Sequence, residues 1–186
     1  MSHTAEIIAV GTELLLGNII NTNAKDISQA LAGLGISVFW HTVVGDNPQR
    51  LKDALDIARK RADIIITTGG LGPTYDDLTK QTICETFGRP LVLHSDILDT
   101  IRGYFERNVH MNMPENNVQQ AEFPEDCVIF DNPVGTAPGC AFEADLTGLG
   151  VSCQGGVLHV GHFLPQQFLH GTLSQAKGHD VVGDDD

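Results

Sequence analysis

Apolar and polar positions along this chain switch repeatedly between the strand period and the helix period. Ile7-Ile8-Ala9-Val10 is a short unbroken apolar run halted by Gly11, the pattern of a buried strand entering a loop. Ile27, Ala30, Leu31 and Leu34 then recur at helical spacing, with Asn21, Thr22 or Asn23 placed to cap and Gly33 and Gly35 placed to terminate. Ile36 to Val44 returns to β-branched and aromatic residues, and Gly45-Asp46-Asn47-Pro48 closes it. Asn47 there is a cap, Pro48 the first helical position, and Leu51, Ala54, Leu55 and Ala58 continue the helix. Asp63 to Thr68 is a continuous β-branched run, as a central parallel strand covered on both faces requires. Gly69-Gly70-Leu71-Gly72-Pro73 breaks it, and Asp77 reads as the cap of a helix carrying Leu78, Ile83 and Phe87.

Strand and helix thus alternate three times through short loops, which predicts an α/β fold of three layers, α/β/α, around a mostly parallel sheet with right-handed crossovers. Ser95 is placed to cap a further helix bearing Ile97, Leu98, Ile101, Tyr104 and Phe105, and Val128-Ile129-Phe130 reads as a short strand. Asn132 to Gly139 is a shaped Gly/Pro loop. Beyond Ala144 the chain becomes rich in Gly and His and finishes in Asp184-Asp185-Asp186; only Val157 to Val160 has the character of a strand. Residues 5–144 are therefore expected to form the domain, and 145–186 an irregular, poorly ordered tail.

Charge narrows the partners. With 24 acidic against 11 basic residues the formal net charge is -13, so the surface repels nucleic-acid phosphates and anionic lipid. Nucleic acid and membrane are excluded as expected partners, and a phosphate-bearing small molecule has to be held locally by backbone N–H groups, a helix N-terminus or a metal ion. Cys84, Cys127, Cys140 and Cys153 form no Cys-x-x-Cys pair and read as buried free thiols. Glu6 precedes any long apolar stretch, so neither a signal peptide nor a membrane span is expected, and a cytoplasmic location fits both features.

In an open α/β sheet, ligands bind beyond the carboxyl ends of the strands. Three loops qualify: Gly11 to Asn18 followed by Asn21-Thr22-Asn23, the turn holding Asp46, and Thr68 to Asp77, all expected over one crevice. The third is the most informative. Its glycines permit close backbone approach to a ligand, and the helix that follows turns free N–H groups toward an anion. It lacks the Lys-Ser/Thr of a Walker loop and the spacing of a dinucleotide fingerprint. Asp76 and Asp77 add carboxylates where an anion is expected, a conflict resolved by a bridging divalent cation or by a simple capping role for Asp77. Asp46 serves either the site or its own turn, and Glu13 is the odd polar residue among leucines, an orienting base or a satisfied hydrogen-bonding partner. His159 and His162 fall at a spacing that a strand sends to opposite faces, and no nucleophile elbow surrounds Ser28 or Ser95.

Taken together, Gly11-Thr12-Glu13-Leu14-Leu15-Leu16-Gly17, Asn21-Thr22-Asn23, Thr68 to Thr79, Asn116-Asn117 with Gln120-Ala121, and Asn132 to Gly139 resemble the MoaB/Mog molybdopterin-binding superfamily. Within it they are similar to the CinA N-terminal domain family, over about residues 5–143. The resemblance implies a nucleotide or pterin ligand whose phosphate is held by Gly69, Gly70 and Gly72, with Gly11, Thr12, Asn21, Asn23, Thr68, Pro73, Thr74, Gly135 and Thr136 around it. It implies catalytic roles for Asp77, Asp46 and Glu13, a divalent metal (Mg, Mn or Co) at Asp76 and Asp77, and pyrophosphatase action on ADP-ribose and related dinucleotides. The alternative is a molybdopterin or nucleotide binding module without turnover. A homo-oligomer is left open. Two departures bear on the site. Family members follow the Gly-Thr-Ala-Pro-Gly loop with a strand and a Pro-Gly-x-Pro-x-Glu segment, and neither is legible from Asp145 onward, as though the frame were truncated or shifted. The amidase domain found C-terminally in many CinA proteins is not in this sequence either, so that activity is not carried over.

Overall fold

The computed structural model describes residues 3–74, 77–132, 135–145 and 154–160. Its first half is the predicted alternation, with a short helix in what was expected to be loop: β1 (Thr4–Val10), the short α1 (Thr12–Leu15), α2 (Thr22–Gly33), β2 (Ser37–Val44), α3 (Pro48–Ala58), β3 (Ile64–Thr68) and α4 (Thr79–Thr86). Local chemistry sets the starts of two helices. Asn21 caps α2 by accepting from the Ala24 amide at 3.1 Å, and Asn47 caps α3 by accepting from the Arg50 amide at 3.0 Å, with Pro48 in the first turn. Then follow β4 (Leu91–Leu93), α5 (Ser95–Tyr104), a 3₁₀ segment (Glu115–Ala121), β5 (Glu122–Pro124), β6 (Val128–Phe130), β7 (Gly139–Asp145) and β8 (Gln154–Val160).

Six strands form one sheet in the order β2-β1-β3-β8-β7-β6. The first four are parallel and β7 and β6 antiparallel, while β4 and β5 pair separately. Period-two alternation along β1 divides the core. Ile8 and Val10 face a cluster with Leu51, Leu55, Ile83 and Leu98 from α3, α4 and α5; Ala5 and Ile7 face Ala24, Ile27 and Leu31 of α2 on the other side. This is the expected three-layer arrangement. Glu6 breaks the apolar rule at 0% exposure, and it is fully paired. Arg61 grips both its oxygens at 2.8 and 2.7 Å, and the Thr42 hydroxyl donates at 2.6 Å.

Several local expectations are corrected. Asp77 does not cap α4: Leu78 holds that position, and the Asp77 carboxylate turns back to Thr74. Ser95 is the first residue of α5 rather than its cap, which is His94. A strand does follow the Gly135–Gly139 loop, β7, whose buried Cys140, Phe142 and Ala144 alternate with more exposed neighbours. The Val157–Val160 run belongs to a longer strand, β8, that pairs with both β3 and β7. Cys84 and Cys140 are buried free thiols and Cys127 is half-buried; Cys153 lies outside the described residues. Among the described residues no helix is long and apolar enough to cross a membrane.

Candidate functional site

The loops leaving β1 and β2 are tied to each other. The Gly11 amide donates to the Val44 carbonyl at 2.9 Å, and Asp46 Oδ2 accepts from both the amide and the hydroxyl of Thr12, at 2.9 and 2.8 Å. The Asp46 amide returns a bond to Thr12 Oγ1 at 3.2 Å. Asp46, Thr12 and Glu13 are exposed, and the Glu13 carboxylate lies over Gly11, 2.6 Å from where a Cβ would stand. The α2 start is linked to the end of β3 by Asn23, whose Nδ2 donates to Thr68 Oγ1 at 3.0 Å; Asn21 is occupied in capping.

The turn after β3 is packed so closely that only glycine fits. Gly69 and Gly70 have φ of 95° and 65°. A Cβ on Gly69 would stand 2.0 Å from the Val10 carbonyl oxygen, and one on Gly70 would stand 1.9 Å from Thr79 Oγ1. At Gly72 the obstacle is a side chain: the Asp77 carboxylate occupies that space, 2.3 Å from the position of a Cβ. Asp77 Oδ2 accepts from the Thr74 amide at 3.0 Å and from the Thr74 hydroxyl, while the Asp77 amide donates to Thr74 O at 3.0 Å. Oδ1 takes no part in these bonds.

Behind this turn lies the 3₁₀ segment, and its side-chain amides take up the turn's carbonyls. Gln120 Nε2 donates to Leu71 O at 3.1 Å, Asn116 Nδ2 to Pro73 O at 3.1 Å, and Gln119 Nε2 to Gly72 O and Thr74 O, both at 3.4 Å. Gln120 is itself oriented by Asn117, whose Nδ2 donates to Gln120 Oε1 at 2.8 Å.

A cleft opens between the turn and this segment, lined by Gly70, Gly72, Asp77, Lys80, Gln119 and Gln120 together with Leu91, Glu122, Ala137 and Pro138. Among the described residues Lys80 is its one cation. Nζ donates to Gln119 O at 2.8 Å and lies 4.0 Å from the centre of the Phe123 ring. Burial lowers its ammonium to about pKa 8, against the pull of nearby Cys140, Cys84 and Glu122. Burial likewise pushes Cys84 up to about 11, and a hydrogen bond from Cys140 holds the Cys127 thiol below its ordinary range.

The structure therefore brings Gly70, Gly72, Pro73, Thr74 and Asp77 together on one cluster, and Thr12, Glu13 and Asp46 on another. Gly69 packs on Val10, the residue before Gly11, but Thr12, Glu13 and Asp46 do not line the cleft beside the glycine turn, so the expectation of one crevice shared by all three loops is not met there. In the sheet order the loops after β1 and β2 lie to one side of β3, and the loop before β7 to the other. Gly135 stands beside Asn132, 3.0 Å from its Nδ2 by a Cβ placed on the glycine, and neither it nor Thr136 lines the cleft. Asp76 lies outside the described residues. Among the described residues no three of His, Cys, Asp and Glu converge as metal ligands. Sequence reasoning passed over Lys80 and Gln119. Lys80 stands on a helix where a lysine reads as solvent-facing, and nothing in the one-dimensional pattern marks it as lining a cleft.

A family profile described as probable molybdopterin binding domain matches residues 6–159. A competence-damage inducible protein of Caldicellulosiruptor saccharolyticus is 57% identical over 141 residues, covering 76% of this chain and 34% of that protein. A CinA-like protein of Dictyoglomus turgidum is 54% identical over 138 residues, covering 74% and 33%. The chain thus spans about a third of the length of the curated relatives it matches. Among solved structures, the protein CinA of Thermoplasma acidophilum, of unknown function, matches at a TM-score of 0.74 and 28% identity over 95% of this chain and 96% of that one. The tungsten cofactor synthesizing protein MoaB of Pyrococcus furiosus matches at 0.61 and 17% identity over 96% of each, a likeness of fold alone.

Proposed function

Because this chain belongs to the molybdopterin-binding domain family, with CinA-like proteins among its relatives, we propose that its glycine turn holds a phosphate of a nucleotide or pterin. We propose further that the domain cleaves a nucleoside diphosphate of the ADP-ribose type. One observation carries the reading: the turn ending β3 has two successive glycines at positive φ and a carboxylate pressed against Gly72. Successive backbone N–H groups in such a turn form a concavity suited to an anion, which a chain of net charge -13 offers in few other places. In the cleavage, water adds to one phosphorus and the bridging P–O bond breaks, giving AMP and a sugar phosphate. Asp77, Asp46 and Glu13 are the carboxylates proposed to take up the proton that water gives off.

The described side chains do not by themselves make a metal centre. A Mg²⁺, Mn²⁺ or Co²⁺ ion is proposed to arrive with the ligand's phosphates, with Asp77 giving one oxygen and Asp76 the second residue proposed to hold it. Mg²⁺ in particular is commonly held by one or two carboxylates plus substrate phosphate. Its chemistry would be to offset phosphate charge. The same observation favours a second reading, a binding module without turnover.

Incubation of the protein with ADP-ribose and each metal, followed by chromatography of nucleotides, separates the two. AMP release supports cleavage. A ligand-induced rise in melting temperature without AMP supports binding alone, because a ligand bound only to the native state stabilises it. Neither effect with any metal rejects both readings.

A further inference from the structure

We propose that Asn116, Gln119 and Gln120 are positioning residues: their side-chain amides set the direction in which the peptide groups of residues 71–74 face, and thereby how firmly the turn grips an anion. The second half of this claim rests on the reading of the turn as an anion site. The first half does not.

A trans peptide keeps its C=O and N–H antiparallel. When Leu71 O is drawn to Gln120, the Gly72 N–H is sent away from the 3₁₀ segment; when Pro73 O is drawn to Asn116, the Thr74 N–H is sent away too, and it meets Asp77 Oδ2 at 3.0 Å. Within the turn Asp77 holds the Thr74 end, while the carbonyls of Leu71, Gly72 and Pro73 take their donors from the 3₁₀ segment. Gly70 and Gly72 have little conformational preference of their own, and Pro73 lacks an N–H that could anchor the Gly72 peptide. All four carbonyls from Leu71 to Thr74 are held from one short segment.

That segment is in turn fixed. Asn117 and Gln120 are buried, at 3% and 4% exposure, and the bond between them selects which face of the Gln120 amide presents its N–H to Leu71. Lys80 holds the main chain at Gln119 O from α4. A buried amide relay, Asn117 to Gln120 to the Leu71 carbonyl, is an arrangement that packing alone does not call for, since apolar side chains of equal volume would fill the space without the desolvation of two amides.

The test uses Gln119→Met and Gln120→Met in the full chain, substitutions that keep length and volume and remove the donors. Two readouts are taken: hydrogen exchange of the peptide covering residues 69–78, and the dissociation constant for ADP-ribose with Mg²⁺. The expected result is exchange faster by about tenfold in that peptide and affinity weaker by about tenfold, with the melting temperature nearly unchanged for Gln119→Met and lowered by a few degrees, roughly, for Gln120→Met, which leaves the buried Asn117 amide without its acceptor. Asn116→Ala removes one bond from an exposed side chain and is expected to give a two- to threefold change, roughly, in the same direction. A packing role predicts near wild-type values for the Met variants and would overturn the proposal. Faster exchange throughout the protein in Gln119→Met would also overturn it, since the amides would then serve global stability. If the wild-type protein does not bind ADP-ribose, the functional reading fails, and the exchange of residues 69–78 alone decides the proposal.

Discussion

Thr12 and Asp46 hold each other reciprocally across the ends of β1 and β2: Asp46 Oδ2 accepts from the Thr12 amide at 2.9 Å and hydroxyl at 2.8 Å, and Thr12 Oγ1 accepts from the Asp46 amide at 3.2 Å. Two loops separated along the chain by α2 and β2 are thereby fixed as one surface. The link places Glu13 and Asp46 beside each other's loops before any ligand arrives.

A double-mutant cycle with Thr12→Val and Asp46→Ala is expected to give a coupling of about 1 kcal/mol in chemical denaturation, the usual net value of such bonds at an exposed position. A coupling near zero would show that the two loops are set independently.

The glycines of the turn differ sharply from the glycine that follows α2. Gly35 has φ of 72° with nothing within 4 Å of a Cβ, so Gly35→Ala carries only the left-handed backbone penalty, about 1 kcal/mol. Gly70→Ala adds a collision with Thr79 Oγ1 at 1.9 Å, and is expected to lower unfolding free energy by about 3 kcal/mol. Equal losses for the two variants, measured by urea titration, would mean that the turn yields.

Lys80 gives a pH-dependent prediction whose sign is fixed by the direction of its shift. In the unfolded chain it titrates near its ordinary value of 10.5, and in the folded protein at about 8, because burial disfavours the ammonium. Below pH 8 both states carry the proton and the full penalty of burying charge is present. From 8 to 10.5 the unfolded state holds more protons at this amine, so Lys80 by itself adds stability as pH rises, while Cys84, held up at about 11, works in the opposite direction above its ordinary value of 9.0. Lys80→Met lacks this gain. Its stability relative to wild type is therefore expected to fall by about 2 kcal/mol between pH 7 and pH 10.5, read from melts at both pH values. Cys84, Cys127, Cys140, Glu122 and Asp77 stand near the same amine or line its cleft, so a control with Cys84→Ala fixes the baseline.

Arg61→Ala strands the Glu6 carboxylate, which is wholly buried and keeps only the Thr42 hydroxyl at 2.6 Å. The expected loss is about 3 kcal/mol at pH 7, read from urea titration. Replacing both partners by apolar residues should lose much less, and an equal loss in the double variant would assign the effect to the Trp40 contact, where Arg61 sits 4.7 Å from the ring centre.

Much of the architecture is legible along the chain because its causes are local. The apolar runs of β1 and β3, the helical spacing in α2 and α3, and the caps Asn21 and Asn47 all act within a few residues. β7 escaped because Cys140, Ala141, Phe142, Glu143 and Ala144 follow a Gly/Pro loop and enter a glycine-rich stretch, where composition obscures a period-two alternation. Asp77 misled for a similar reason: an aspartate before a helix suits a cap, yet Thr74 offered its carboxylate two donors at once.

What the sequence determined by itself is the layered fold, the glycine turn and the residue types gathered near it, since strand period, helix period and turn chemistry are properties of neighbours along a chain. What only the tertiary structure decided is which groups hold that turn. Gln120 meets Leu71 across 49 residues, Gln119 meets Gly72 across 47, and Lys80 meets Gln119 across 39. Hydrogen bonds of that span depend on how the 3₁₀ segment docks beside β3 and α4, and a polar side chain carries no mark, before docking, of whether it will face water or a carbonyl.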